Sequence, residues 1–164
     1  MKLGINLVNA DLMRRRAPGP AVHGFLDTIR DAHPDTPLIV MSPVYCPIQE
    51  STPGPLAPDF SDGTMKFVAT GDPAEVDAGK LTLEVVREEL AAVVEQRSVD
   101  DPHLSYVNGL DLFGPADVGQ FPYADNLHPG AQAHRRIGER FIPMLLQVRN
   151  AVRWRPHGVI RTPH

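Results

Sequence analysis

The chain carries a single cysteine, Cys46, in 164 residues. That excludes an intrachain disulfide framework and, with it, a cysteine-based zinc cluster. Charge of one sign is also lacking: sixteen Lys and Arg face twenty Asp and Glu, a formal net charge of -4. Such a balance gives no general attraction to a phosphate backbone or an anionic lipid surface, so nucleic acid is not an expected partner. The run Arg14-Arg15-Arg16 is too short to change this and reads as a solvated turn. No stretch reaches the roughly 18 consecutive apolar residues of a membrane span. The opening MKLGINLVNAD has no apolar core followed by a small-residue cleavage site, so the chain as written is expected in the cytoplasm.

What is present is enough for one domain. With 42% hydrophobic residues the chain can bury a substantial core, and the pattern places that domain over 1–150, followed by a loosely held tail at 151–164. KLGINLV, residues 2–8, is a short apolar run ending in polar Asn9 and Asp11, which predicts a buried strand. A linker with Pro18, Gly19 and Pro20 leads to AVHGFLDTIRDAH, where Val22, Phe25, Leu26 and Ile29 recur at helical spacing until His33-Pro34. TPLIVMSPV has the continuous apolar character of a strand covered on both faces. Prolines at 43, 47, 53, 55 and 58 then predict a long ordered loop or lid, with MKFVAT as a short extended piece. In that loop Glu50 and Asp59 are expected to shape a rim or face solvent.

DAGKLTLEVVREELAAVVEQRS is the clearest helix: Leu83, Val86, Leu90, Val93 and Val94 share one face, with Glu84, Arg87, Glu88, Glu95 and Arg97 on the other. LSYVNGLDLFG predicts another strand. HPGAQAHRRIGERFIPMLLQVRNAV predicts a closing helix with Ala133, Ile137, Phe141, Leu145 and Val148 inward and a kink or break at Pro143. Strands alternating with helices imply a parallel sheet in an α/β fold, with chemistry at the carboxyl ends of the strands. Asn6 and Asn9, Ser42 and Cys46, and Asp125 with His128 are therefore expected along one edge.

In YADNLHPGAQ, Pro129 suits the first position of a helix, which sets His128 beside the helix cap, where unsatisfied amides disfavour the imidazolium and favour a neutral base. Asp125, three residues earlier, can fold back, bond one ring nitrogen and fix the tautomer. An Asp-x-x-His segment equally serves as a capped helix with a packed histidine. Asp125, His128 and His134 as metal ligands are disfavoured, because His134 lies almost two turns along the helix.

DNLHP, with GIN at Gly4 to Asn6 and PLIVMSPVYCP between them, resembles the conserved blocks of the SGNH (GDSL-type) ester hydrolases over about residues 3–149. The resemblance implies a three-layer α/β/α, flavodoxin-like fold with a parallel sheet. It implies His128 as general base, Asp125 as its orienting carboxylate and Asn6 as a side-chain donor to the oxyanion. The implied substrate is a small-molecule ester, turned over through an acyl-enzyme, and no cofactor is needed. Many members carry an acid directly after this Asn; here Leu7 follows.

The family's Gly-Asp-Ser block, which carries the nucleophile, has no counterpart, since only Met1 to Leu3 precede Gly4. The nucleophile is thus expected to be absent, and the chain to be a C-terminal portion of such an enzyme lacking the first strands. Ser42 has Pro43 beside it and no strand-to-helix turn to present its hydroxyl, and Cys46 reads as a buried structural thiol. The other readings are a non-catalytic ligand-binding remnant and one subunit of a split hydrolase. A strand at 2–8 without its neighbour would be an exposed edge, open to self-association or to a complementing chain.

Overall fold

The computed structural model describes residues 1–151. Two parallel strands form the centre, β1 (Leu38–Met41) and β4 (Leu104–Val107), in register from Leu38 opposite Leu104 to Met41 opposite Val107. Helices lie on both sides of this sheet, the arrangement of a three-layer α/β/α fold. On one side α2 (Pro18–Ala32) packs against α3 (Leu83–Arg97). The short α4 (Gly109–Leu112) packs against the closing α6 (Ala131–Ala151), with α5 (Pro115–Gln120) between them in the chain. Of the tail expected at 151–164, only Ala151 lies among the described residues.

The expected strand at 2–8 is mostly helix. Lys2 makes a parallel bridge to Met41, and the Leu3 amide donates to the Met41 carbonyl at 3.0 Å, so Met1–Leu3 is a stub on the open side of β1. At Gly4 the backbone turns to φ 104°, a value that glycine alone adopts at little cost, and α1 (Ile5–Asn9) begins. A Cβ there would also lie 2.2 Å from Val86 Cγ1. Apolar Ile5 and Val8 stand three apart, the spacing of a helix face, and a short run of this kind reads equally well in either period.

Helix α2 starts earlier than its apolar spacing indicates, because Pro18 and Pro20 suit a first helical turn. Phe25, one of the residues at helical spacing, is half exposed. Leu83, Val86, Leu90, Val93 and Val94 form the buried face of α3, as expected, and Thr82 caps that helix by accepting from the Val85 amide at 3.3 Å. The expected strand over 104–114 stops at Val107, where the Asn108 side chain accepts from the Leu110 amide and starts α4. In α6 the chain runs helical through Pro143. Ala133 is buried, but Leu145 is exposed, and Met144, three residues after Phe141, packs against the core in its place.

Two parts of the proline-rich segment are built in ways its composition does not announce. The short extended piece expected at MKFVAT is β3 (Lys66–Ala69), but it is one arm of a hairpin, antiparallel to β2 (Leu56–Asp59). Pro58 is tolerated there because this two-stranded sheet leaves each strand an outer edge. The hairpin is rooted on α1: a Cβ at Gly54 would lie 1.8 Å from the Val8 carbonyl oxygen, so only glycine permits that approach. The second part is Glu50, which does not face solvent. It pairs with Arg87, a residue expected on the outer face of α3 but only 6% exposed. Burial pushes the Glu50 carboxyl up and the Arg87 guanidinium opposes it, while Arg87 also donates to the Pro43 carbonyl at 3.4 Å. The pair thereby ties the segment to α3.

Removing one member of a buried pair leaves the other charged without a partner, at a typical cost of about 3–5 kcal/mol. Arg87→Ala is therefore expected to lower unfolding stability by about that much in chemical denaturation, and Glu50→Leu with Arg87→Met to recover most of it. Equal stability of Arg87→Ala and parent would contradict this role.

Candidate active site

Asp125 organises the turn before α6. One carboxylate oxygen, Oδ1, accepts from the amides of Leu127 at 3.0 Å and His128 at 2.8 Å, and the other, Oδ2, lies 2.6 Å from His128 Nδ1. The two amide bonds form a side-chain-closed turn of the kind Asp favours, and Asn126 sits in it at φ 67°. Because this turn occupies 125–128, α6 begins only at Ala131. Pro129 is therefore not the first helical residue and His128 stands ahead of the cap, contrary to expectation. The histidine is oriented by the carboxylate rather than by the helix end.

Burial pushes the Asp125 carboxyl up, but the bonds from the His128 ring and from the His128 and Leu127 amides outweigh it and hold it at about 2. The carboxylate is then ionised throughout the neutral range. With Nδ1 engaged, Nε2 is the nitrogen left to exchange a proton, and the His128 side chain is 68% exposed.

The surroundings fix this turn in place. The Phe67 amide, on β3, donates to the Asp125 carbonyl at 2.9 Å, and Asn126 Nδ2 donates to the Phe67 carbonyl at 3.4 Å. The Phe67 and His128 rings meet edge to face, with centroids 5.8 Å apart. Beneath, Cys46 Sγ donates to the Asn126 carbonyl at 3.6 Å, and the Tyr123 hydroxyl donates to the Tyr45 carbonyl at 2.8 Å. Tyr45 and Cys46 follow the carboxyl end of β1, so the Asp125–His128 turn sits over that edge.

The other residues picked out from sequence divide clearly. Asn6 is exposed in the first turn of α1, just beyond the Lys2–Met41 bridge and thus on the same edge, but no hydrogen bond links it to His128. It borders a separate, apolar groove of about 330 Å³ between α1, α2 and α3, which His128 does not line. Ser42 is completely buried and its Oγ accepts from the Gly109 amide at 3.0 Å. Cys46 is nearer the histidine than sequence could indicate, but burial, reinforced by the Glu50 and Asp125 charges, pushes its thiol up to about 11. It acts as a hydrogen-bond donor, not a thiolate. Among the described residues no serine or cysteine bonds to the His128 ring, and no group of three or more His, Cys, Asp and Glu side chains is placed to hold a metal.

Phe67 was not legible as part of this site. Its single signal in the sequence is an apolar run inside a proline-rich segment, and nothing there says which turn it would cover.

The chain's fold resembles that of the salicylyl-acyltransferase SsfX3 from a tetracycline biosynthetic pathway, with a TM-score of 0.64 and 22% identity. The match covers 90% of this chain and 36% of that one, so the chain spans about a third of the acyltransferase's length. No family model and no curated protein matches the sequence.

The state of Asp125 yields a test with a definite sign. Its folded value of about 2 lies below the usual 3.8, so its contribution to stability is fully present above about 3.8 and is lost as pH falls through 2. Asp125→Asn should therefore be less stable than the parent at pH 6, and the gap should close as pH falls from 4 to about 2 in melting experiments. A gap independent of pH would show that the carboxylate is not ionised in these bonds.

Proposed function

We propose that this chain is part of an SGNH-type serine ester hydrolase or acyltransferase, and that His128 is its general base. The observation that carries the reading is the Asp125–His128 pair, with Nδ1 held at 2.6 Å and the rest of the ring open to an incoming proton donor. A histidine in this state takes a proton from an attacking hydroxyl and returns it to the leaving group, while the carboxylate fixes the tautomer and stabilises the imidazolium. Support comes from the order of the GIN and DNLHP motifs and from a fold shared with an enzyme of acyl transfer.

In this reading a serine supplied from outside the present sequence attacks an ester carbonyl. Asn6 donates its carboxamide to the oxyanion, and the acyl-enzyme passes to water or to an acceptor alcohol. No cofactor enters the cycle. The same segment that brings the serine would cover the Met1–Leu3 edge and the groove lined by Leu3, Ile5, Val22, Phe25, Leu90 and Val93.

A second reading rests on one observation, that among the described residues no hydroxyl or thiol is hydrogen-bonded to the His128 ring. The chain would then be a binding module for esters, or one subunit completed by another chain carrying the nucleophile. Mixing with that chain, and recovery of hydrolysis, separates the two.

In the form that turns over esters, His128→Ala is expected to lower kcat/KM for a nitrophenyl ester by roughly four orders of magnitude. Asn6→Ala should lower it by about two to three orders. Parent rates in the His128 variant would remove this residue from the mechanism. The 164-residue chain alone should self-associate in sedimentation velocity through its uncovered apolar groove; a monodisperse monomer with a cooperative melt would contradict that.

A further inference from the structure

We infer that Phe67, on the β2–β3 hairpin, is the positioning residue that sets the plane of the His128 ring. The inference rests on the reading of His128 as a base and extends it. Asp125 holds Nδ1, but that one hydrogen bond is broken by rotation about χ1 or χ2, and a ring that leaves Oδ2 loses the contact that selects its tautomer. An exposed side chain gets little help from the core in resisting that motion, and His128 is 68% exposed. The aromatic contact is the restraint: the ring planes meet at 78° with centroids 5.8 Å apart, inside the range in which edge-to-face pairs attract.

The hairpin is built to hold Phe67 there. The residue's own amide is bonded to the Asp125 carbonyl at 2.9 Å and its carbonyl accepts from Asn126 Nδ2 at 3.4 Å, so the backbone of β3 is clamped to the same turn that carries the histidine. Across the hairpin Phe67 pairs with Pro58, and at the other end Gly54 is wedged against the Val8 carbonyl at the end of α1. The hairpin therefore links the helix that carries Asn6 to the turn that carries His128. A restraint of this kind adds no chemistry of its own; it fixes the direction in which Nε2 exchanges its proton.

The consequence is specific to the side chain, because the backbone bonds survive substitution. Phe67→Leu should free the ring while leaving the turn, and Phe67→Tyr should keep it fixed. Histidine-selective 15N labelling of the 164-residue chain, with the His128 signals among its seven histidines assigned by their loss in His128→Ala, reads the tautomer of His128. The parent is expected to hold the Nδ1–H form bonded to Asp125. Phe67→Leu should shift the equilibrium between that form and the Nε2–H form by roughly two-fold or more, Phe67→Tyr should restore it, and Phe60→Ser, at the exposed end of the hairpin, should leave it unchanged. If Phe67→Leu fails to melt cooperatively, cross-relaxation between the Phe67 and His128 ring protons in the parent decides the matter, and its absence overturns the inference. An unchanged tautomer in a folded Phe67→Leu overturns it as well. In the turnover-competent form, loss of positioning should appear in kcat with KM little altered. Parent activity in His128→Ala together with a freed ring in Phe67→Leu would sink the catalytic reading and leave this inference standing. Abolished activity in His128→Ala with an unmoved ring in Phe67→Leu would do the reverse.

Discussion

The structure around the candidate site depends on one carboxylate. Asp125 closes its turn through two backbone amides with Oδ1 and turns Oδ2 to the imidazole of His128. A neutral side chain of similar size would accept the amide bonds less strongly and could not stabilise an imidazolium, so the turn and the proposed chemistry ask for the same charge at the same place. The left-handed backbone at Asn126, the late start of α6 and the ionised state of Asp125 near neutral pH all follow from those bonds.

Around that turn the molecule supplies rigidity from three directions. Below it, β1 runs in parallel register with β4, and Tyr45 and Cys46, just past the end of β1, bond to Tyr123 and Asn126. Beside it, the β2–β3 hairpin contacts the turn through both the backbone and the ring of Phe67. Farther along, the buried Glu50–Arg87 pair ties the proline-rich segment to α3. Cys46 illustrates how the same environment excludes an alternative chemistry: the burial that makes its thiol a good packing group also pushes its deprotonation up to about 11.

Much of the layout could be read from residue types. The α/β alternation, the parallel pairing and the apolar face of α3 follow from periodicity, and Asp125 with His128 follows from spacing and the chemistry of the two groups. What failed has physical reasons. KLGINLV fits either period over so few residues, and the left-handed turn at Gly4 decides for a helix. Arg87 carries a charge that pattern puts outside, while its partner Glu50 lies 37 positions away in the chain. Pro129 looks like a helix start, yet the turn closed by Asp125 claims the residues before it. The hairpin clamp on His128 depends on a contact between distant segments, Phe67 and residues 125–128, which no local pattern encodes.

The proposed role of His128, a base serving a serine that lies outside residues 1–164, is tested most directly on the native gene product. That product would be recovered from its own cells, weighed intact, treated with a fluorophosphonate that labels activated serines, and the modified peptide sequenced. The account predicts a mass above 18.0 kDa, or a tightly bound second chain, and the label on a serine outside residues 1–164. A lone chain of 18.0 kDa that takes no label, or a label on one of its own serines, would contradict it.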